Sequence, residues 1–185
     1  RQWLKDALIS GHWPDEAGAL QPLLDTWLAS NPPGRGDGWH SYTLSLRTRN
    51  WIALFQACPA LATPERLKSL WQQLCWLEAH PENCYGGNHW LENLTALAIG
   101  GLQFDGTKAI RMHRRAMHFL QLELRQQVLS DGGHEERSAS YHLLMLDRLV
   151  ELAHYLNQST GDLPPWLVNA FEAMANWAHQ IRLES

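Results

Sequence analysis

Apolar residues recur at helical spacing along almost the whole chain, and no stretch shows the strict alternation of a half-buried strand. The segment Ser41–Ala57, for example, places Leu44, Trp51 and Phe55 on one broad face. Clusters of Pro and Gly, such as Asn31-Pro32-Pro33-Gly34, separate these segments. The sequence therefore predicts an all-α chain whose helices are joined by short turns.

The predicted helices span approximately Trp3–Ile9, Glu16–Ala29, Ser41–Ala57, Glu65–Ala79, Asn88–Ile99, Thr107–Leu129, Ser138–Leu156 and Trp166–Ile181. Helices joined by short turns become antiparallel neighbours, and such hairpins can stack as a solenoid, a closed barrel or an open toroid. No fixed-period repeat is visible that would favour a known solenoid. The periodicity alone leaves a bundle and a toroid open.

A chain of 185 residues suits one domain, so we expect residues 1–185 to form a single helical domain. It opens in the middle of a helical pattern at Arg1 and stops abruptly at Ser185, which leads us to expect a fragment or a processed form of a longer protein. The lack of a visible export signal therefore carries no weight. No apolar stretch approaches the ~20 residues that span a bilayer. The three cysteines, Cys58, Cys75 and Cys84, lack metal-knuckle spacing and are expected to be buried thiols.

The formal net charge of -4 argues against a general nucleic-acid binder. Any anionic partner must therefore meet a local basic cleft. Ten tryptophans are present, and because Trp is large and amphipathic, some of them suit a groove in which aromatic rings support sugar rings.

The stretch Asp131–His142 has the features of a helix start. Two glycines end the preceding segment, and Ser138 offers an oxygen to the first unpaired amides of the next helix. If Ser138 is the N-cap, Tyr141 occupies the third helical position, where the macrodipole favours negative charge. With Arg137 and His142 as cationic neighbours, this position is predicted to stabilise a tyrosinate that acts as a base.

Two further helix starts are rich in polar groups. Asn88-His89-Trp90-Leu91-Glu92-Asn93 begins one, and Trp39-His40-Ser41-Tyr42, followed by Arg47 and Arg49, begins another. In an antiparallel array, the starts of alternate helices lie at the same end. We therefore expect Asn88, Tyr141 and Arg47 to line one groove, with Trp39 and Tyr42 along its wall. The alternative is three ordinary helix caps, with Arg47 and Arg49 extended over a surface.

These segments together resemble the heparinase II/III-like polysaccharide lyases. The region Asn31–His40 with Ser45-Leu46-Arg47 and Asn50-Trp51-Ile52 is similar to the opening region of that family. Asn88-His89 with Glu92-Asn93, and Asp131–His134 through Glu136-Arg137-Ser138 to Tyr141-His142, resemble its two active-site segments. Family members often have Pro where this chain has Ala139.

The resemblance implies an incomplete (α/α) toroid of antiparallel helix hairpins, normally followed by a C-terminal β-sandwich domain that completes the cleft. It also implies a periplasmic or secreted protein that cleaves uronic-acid polysaccharides by β-elimination. Sulfated glycosaminoglycan, alginate and a bacterial surface polysaccharide all remain open as substrates. No nucleic-acid partner, transmembrane segment, cofactor or metal is implied for this part of the protein.

Residue by residue, Asn88 matches the family's carboxylate-neutralising Asn, with His89 beside it. Tyr141 matches the catalytic Tyr, which acts as acid and, for one substrate stereochemistry, also as base. Related lyases draw a further His from later in the chain. The candidate catalytic residues are therefore Asn88, Tyr141, His89 and His142, although His142 could instead be a core histidine. The candidate substrate-binding residues are Arg47, Trp39, Tyr42, His40, Arg137, Glu92 and His134.

Two other functions fit the same residues. An α/α-toroid glycoside hydrolase would use two carboxylates, for which Glu92 and Glu135 are candidates. A glycan-binding module without catalysis would bind the same polymers. A metal centre is not predicted, since His134-Glu135-Glu136 lacks the spacing of a zinc-binding helix motif.

Overall fold

A computed structural model of the chain describes residues 13–82 and 87–183. The helices in these ranges are α1 (Trp13–Ser30), α2 (Ser41–Ala57), α3 (Pro64–Ala79), α4 (Gly87–Gly101), α5 (Thr107–Gln127), α6 (Ala139–Thr160) and α7 (Pro165–Leu183). The helix predicted at Trp3–Ile9 and the thiol of Cys84 lie outside the described residues.

Each predicted helix in these ranges is present, with bounds that differ by up to four residues, as at the end of α6, which was predicted at Leu156 and lies at Thr160. The helix α2 begins and ends at the residues predicted. Two short 3-10 turns, Asp37–Trp39 and Pro59–Leu61, were not predicted because each contains a single turn without periodicity. Within the described ranges the backbone forms no strand, and a single isolated bridge joins Val128 to His134. The all-α prediction is confirmed.

Helix ends are set by the capping chemistry visible in the sequence. Thr63 accepts a hydrogen bond from the amide of Arg66 at 3.4 Å, and Pro64 occupies the first helical position, where its missing N–H costs nothing. Gly161 ends α6 in the left-handed conformation (φ 72°), which glycine adopts without strain. These caps fix where the chain reverses between helices.

The chain divides into two compact units, Arg1–His80 and Pro81–Ser185. The first contains a cluster of indole rings. Trp27 meets Trp51 edge to face with ring centroids 5.3 Å apart, and Trp39 meets Trp76 in the same way at 5.8 Å. A Cβ on Gly34 would lie 2.6 Å from the Trp76 ring, so only glycine allows the loop to pass this close.

Trp39 is 5% exposed, and its Nε1 donates to the carbonyl oxygen of Asn31 at 3.3 Å. The expectation that this ring lines the wall of an open groove is therefore wrong. The reason is the 3-10 turn Asp37–Trp39, which directs the indole into the aromatic cluster.

In the second unit, α4 is the central helix. It packs along α5 and against α6, while α6 also packs on α7. Every residue of α4 from Leu91 to Gly101 is buried. Small residues allow this close approach: a Cβ on Gly101 would lie 2.8 Å from the carbonyl oxygen of Ala109 in α5. The first turn of α4 is thus held on a rigid support.

Of the two cysteines in the described ranges, Cys58 is buried and Cys75 is half-buried, so the expectation of buried thiols holds for Cys58 alone. Cys75 is half-buried because its position on α3 has one side toward solvent. No helix in the described part of the chain combines the length and apolarity needed to cross a membrane.

Candidate active site

The start of α4 contacts the segment that leads into α6. Asn88, in the first turn of α4, donates from Nδ2 to Oε1 of Glu136 at 2.9 Å. Glu136 lies five residues before Tyr141 in the chain. This hydrogen bond connects the two segments that the sequence singled out. That Asn88 and Tyr141 act on one substrate stays a prediction.

The segment before α6 is held in a tight reversal. The amide of Leu129 donates to the oxygen of Gly133 at 2.8 Å, and the amide of Glu135 donates to the oxygen of Gln127 at 2.9 Å. Gly132 has φ 88°, and a Cβ there would lie 2.2 Å from the Ala173 oxygen of α7. Both the backbone conformation and the packing therefore require glycine at this position.

His134 lies beneath this reversal and is 1% exposed. Its Nδ1 accepts from the amide of Glu136 at 3.3 Å, so Nε2 carries the proton and donates to Oε1 of Gln127 at 3.3 Å. Burial lowers the pKa of His134, and His142 adds to this, while Glu136 and Glu135 oppose it. The prediction that His134 contacts substrate is therefore wrong: its ring is a buried support for Glu136.

The support continues from His134 to α4. Gln127 donates from Nε2 to Oε2 of Glu123 at 2.9 Å, and Trp90 donates from Nε1 to Oε1 of the same carboxylate at 3.1 Å. Trp90 is two residues after Asn88, so the backbone of α4 connects the two ends of this chain of hydrogen bonds. We call this set, Asn88, Trp90, Glu123, Gln127, His134 and Glu136, the Asn88 ring. Sequence patterns did not reveal it because its members come from three separate segments.

Tyr141 occupies the predicted place at the start of α6. Ser138 is the N-cap, and its Oγ accepts from the amide of Tyr141 at 3.5 Å. The side chain is 45% exposed, and among the described residues its hydroxyl makes no hydrogen bond. Arg137 lies one turn earlier, exposed and with φ 51°, and its amide donates to the His134 oxygen at 2.9 Å. The phenol is open to solvent at the positive end of a helix.

His142 points away from this opening. It is completely buried, its Nε2 donates to the Met174 oxygen at 2.9 Å, and its ring lies 4.3 Å from that of Trp177. Within the described ranges, Nδ1 is buried without a hydrogen-bond partner. Of the two roles left open for His142, the structure agrees with the core histidine, because the ring occupies the contact between α6 and α7.

Glu92 is also a buried structural group. It is 1% exposed, and its Oε1 accepts from Nε of Arg148 at 2.8 Å, which joins α4 to α6. Burial alone would lower the pKa of Arg148, but Glu92, Glu151 and Asp147 together raise it above its ordinary value. A substrate-binding role for Glu92 is therefore wrong, since the carboxylate lies in the interior and is paired with a guanidinium.

His89 is exposed at the other side of the α4 start. Its Nδ1 lies 3.2 Å from Oε1 of Glu82, and the Glu82 amide donates to Oδ1 of buried Asn93 at 2.8 Å. These contacts anchor Glu82 on the first two turns of α4. His89 thus remains accessible while its ring is oriented by a carboxylate.

In the first unit, Arg47 is half-buried. Its Nε donates to Oε1 of Gln73 at 2.7 Å, and its guanidinium carbon lies 4.0 Å from the centre of the Trp27 ring. Burial lowers the pKa of Arg47 to about 10. Nη2 is buried without a hydrogen-bond partner in the described ranges, so this cation has one unused donor. Nearby in sequence, His40 is exposed and Tyr42 is half-buried.

The described residues hold no group of three or more His, Cys, Asp or Glu side chains placed to bind a metal ion.

Comparison with known families decides the relationship. The family described as Heparinase II/III N-terminus matches residues 21–184. The chain belongs to this family. No curated protein matches the sequence.

Solved structures support the same fold for this heparinase II/III family member. The chain is similar to heparinase III, with a TM-score of 0.74 and 21% identity over 95% of this chain and 29% of that one. It is also similar to heparan sulfate lyase HepC from Pedobacter heparinus, with a TM-score of 0.71 and 20% identity over 96% of this chain and 30% of that one. The fold class is all-α, an incomplete (α/α) toroid of antiparallel hairpins, as predicted. The chain spans about a third or less of the length of these proteins.

Proposed function

We propose that this chain is the helical part of a polysaccharide lyase that cleaves uronic-acid-containing acidic polysaccharides by β-elimination. Membership of the heparinase II/III family supports a lyase of this kind. The observation that carries the proposal is the contact between Asn88 and Glu136, because it joins the two segments that resemble the family's active site. We include in the proposal a C-terminal β domain and a periplasmic or secreted location.

The reaction needs three tasks. The C5–H bond breaks, the C4–O4 bond breaks, a C4–C5 double bond forms, and O4 leaves with a proton. The uronate carboxylate must first be neutralised, because its negative charge opposes the carbanion that develops at C5. A base must then take the C5 proton, and an acid must protonate O4.

Asn88 suits the first task. Its amide nitrogen has two N–H groups, and Glu136 accepts from one of them, which leaves the second for a substrate carboxylate. Asn88 is in the first turn of a 15-residue helix, where unpaired backbone amides and the macrodipole also favour an anion. The Asn88 ring fixes the side chain before substrate arrives, which removes the need to order it during the reaction.

Tyr141 suits the proton transfers. Its hydroxyl is exposed and makes no hydrogen bond among the described residues, so a sugar oxygen can reach it. Tyr141 is the third residue of α6, after the N-cap Ser138, so the phenol stands at an exposed helix start. Tyr141 then gives its proton to O4 and, for one substrate stereochemistry, takes the proton from C5. For the other stereochemistry a base from another part of the protein is required.

The structure gives no support to a hydrolase that uses Glu92 and Glu135. Glu92 is bound to Arg148 in the interior, whereas a general acid or nucleophile must touch the sugar.

The names of the similar structures make heparan sulfate the first substrate to test, and alginate the second. Arg47, with one unused donor above Trp27, is proposed to bind substrate anions.

The test is an absorbance assay with the full-length protein and separate solutions of heparan sulfate, alginate and neutral dextran. β-Elimination produces a conjugated C4–C5 alkene that absorbs in the near ultraviolet, whereas hydrolysis produces reducing ends without this absorbance. We expect growth of the chromophore on an acidic polymer and none on dextran. New reducing ends without the chromophore would contradict the proposal and favour hydrolysis.

A further inference from the structure

The basic residues of the chain are concentrated on α5. This helix carries five of the chain's fifteen Lys and Arg residues and one of its nineteen Asp and Glu residues. Its net charge is therefore +4, while the rest of the chain is at -8. The one acidic residue, Glu123, already accepts hydrogen bonds from Trp90 and Gln127. α5 is thus a local basic surface on an acidic protein.

The cations lie on the exposed side of α5. Arg111, Arg114 and Arg115 are all exposed, and Arg111 lies three residues before Arg114 and four before Arg115. In the described part of the chain, no salt bridge pairs any of these three arginines with an acid. Like charges at this spacing repel one another and destabilise a helix. A polyanion bound along the helix would relieve this repulsion.

A pocket of about 400 Å³ opens beside this row. Arg114, His118 and Gln121 of α5 line one side, and Thr160 and the half-buried Trp166 line the other. Asp162 lies at the same pocket and is its one acidic group among the described residues. The volume is in the range of pockets that hold small ligands. The Arg114 cation, hydrogen-bonding groups and an aromatic ring together suit a charged sugar ring.

The pocket is far from the candidate active site in the same unit. Arg114 is thirteen residues before Gln127 of the Asn88 ring, which corresponds to about 20 Å along α5. Tyr141 and Thr160 are at opposite ends of α6, about 28 Å apart along that helix. A substituent bound in the pocket therefore does not occupy the reacting position at Asn88.

We propose that the exposed face of α5 and its adjoining pocket form a second binding surface for an acidic polysaccharide chain, separate from the site of cleavage. Short segments rich in Lys and Arg are typical of surfaces that bind heparin or nucleic acid. That the ligand is a polysaccharide and not a nucleic acid rests on the proposed function. Two observations support this choice: the pocket contains Trp166, and the rest of the chain is negatively charged. Long chains that reach both places would bind more tightly than short ones.

The test measures binding of heparin, alginate and single-stranded DNA to the full-length protein carrying Tyr141→Phe, which is expected to slow turnover strongly. The test variant adds Arg111→Gln and Arg114→Gln. The control adds Arg35→Gln and Lys68→Gln instead, which removes the same charge from exposed positions in the other unit. Circular dichroism and thermal unfolding confirm that both remain folded.

We expect the test variant to raise the Kd for heparin or alginate roughly tenfold at low salt, with a smaller effect at high salt. The control should change it by about twofold or less. Equal effects of the two variants would overturn the proposal, as would no effect of either. If DNA binds more tightly than both polysaccharides, and the Arg111→Gln and Arg114→Gln substitutions abolish DNA binding, the surface is a nucleic-acid site. The polysaccharide assignment is then wrong. Because binding is measured separately from turnover, failure of the lyase assay would leave this result interpretable.

Discussion

Asn88 and Tyr141 begin two helices that pack on each other, but their surroundings differ. Asn88 is one member of a hydrogen-bonded ring that includes the buried side chains of His134 and Gln127. Tyr141 is 45% exposed, and its hydroxyl makes no hydrogen bond among the described residues. The amide is fixed before substrate binds, whereas the phenol is free to change its hydrogen bonds.

This difference agrees with the two proposed tasks. A group that neutralises a carboxylate works best when its dipole already points at the charge, because no reorganisation is then needed. A group that both takes and gives a proton must be able to approach C5 and O4 of the sugar in turn. The difference therefore supports the proposed roles, electrostatic stabilisation for Asn88 and proton transfer for Tyr141.

Replacing the phenol should have the largest effect. Tyr141→Phe keeps the ring and removes the hydroxyl, so we expect kcat to fall by about 10²- to 10⁴-fold. Substrate binding should change little, since the hydroxyl acts mainly in the transition state. Chromophore formation and equilibrium binding measure the two quantities on the full-length protein. A variant with kcat within a few-fold of the parent would show that Tyr141 transfers no proton.

Removing the fixed amide should have the next largest effect. Asn88→Ala is expected to lower kcat by about 10²- to 10³-fold, the range seen when one donor to a developing anion is deleted. The exposed Asn176→Ala on α7 is a matched control and should leave kcat unchanged. If KM rose while kcat stayed unchanged, Asn88 would bind substrate and transition state equally, which contradicts its proposed role.

Removing the buried His134 from the Asn88 ring should have a smaller effect, which we expect in the stability of the protein rather than in kcat. His134→Ala removes the acceptor of the Glu136 amide and the donor to Oε1 of Gln127, so we expect a loss of about 1–3 kcal/mol in the free energy of unfolding at pH 8. Exposed His179→Ala should cost much less. Chemical denaturation provides the measurement.

The same variant has a predicted pH dependence. Burial lowers the pKa of His134 below its ordinary value of 6.5, so the unfolded chain binds this proton more readily than the folded protein does. Its contribution to stability is complete above pH 6.5 and is lost as the pH falls through the folded pKa. The stability gap between the parent protein and His134→Ala should therefore shrink from pH 8 to pH 5. A gap that widens in acid would mean that the ring is charged in the folded protein.

Much of the fold follows from local sequence. Helical periodicity predicted the helices in the described ranges, and capping chemistry predicted Ser138 as an N-cap with Tyr141 at the third position. These features depend on residues within one or two turns of each other, so a single sequence contains them. The resemblance to the heparinase II/III family correctly indicated the toroid fold.

The buried polar residues could not be placed in this way. His134, His142 and Glu92 are hydrophilic and near candidate catalytic residues, which made them candidates too. Each is buried because of a partner from another helix or turn: Gln127, the Met174 oxygen and Arg148. Helical periodicity shows which face a residue lies on but not which group it meets there. The basic face of α5 was visible in the sequence as Arg111–His118, but its pocket required the structure.

The most direct test of the account is an experimental structure of the full-length Tyr141→Phe protein with an oligosaccharide of the polymer that yields the ultraviolet-absorbing product. We predict a uronate carboxylate oxygen within about 3 Å of the Asn88 amide nitrogen, with the sugar's C5 and O4 facing the ring at position 141. The Asn88–Glu136 hydrogen bond should remain intact. A sugar bound elsewhere, with Asn88 contacting only Glu136, would contradict the central claim.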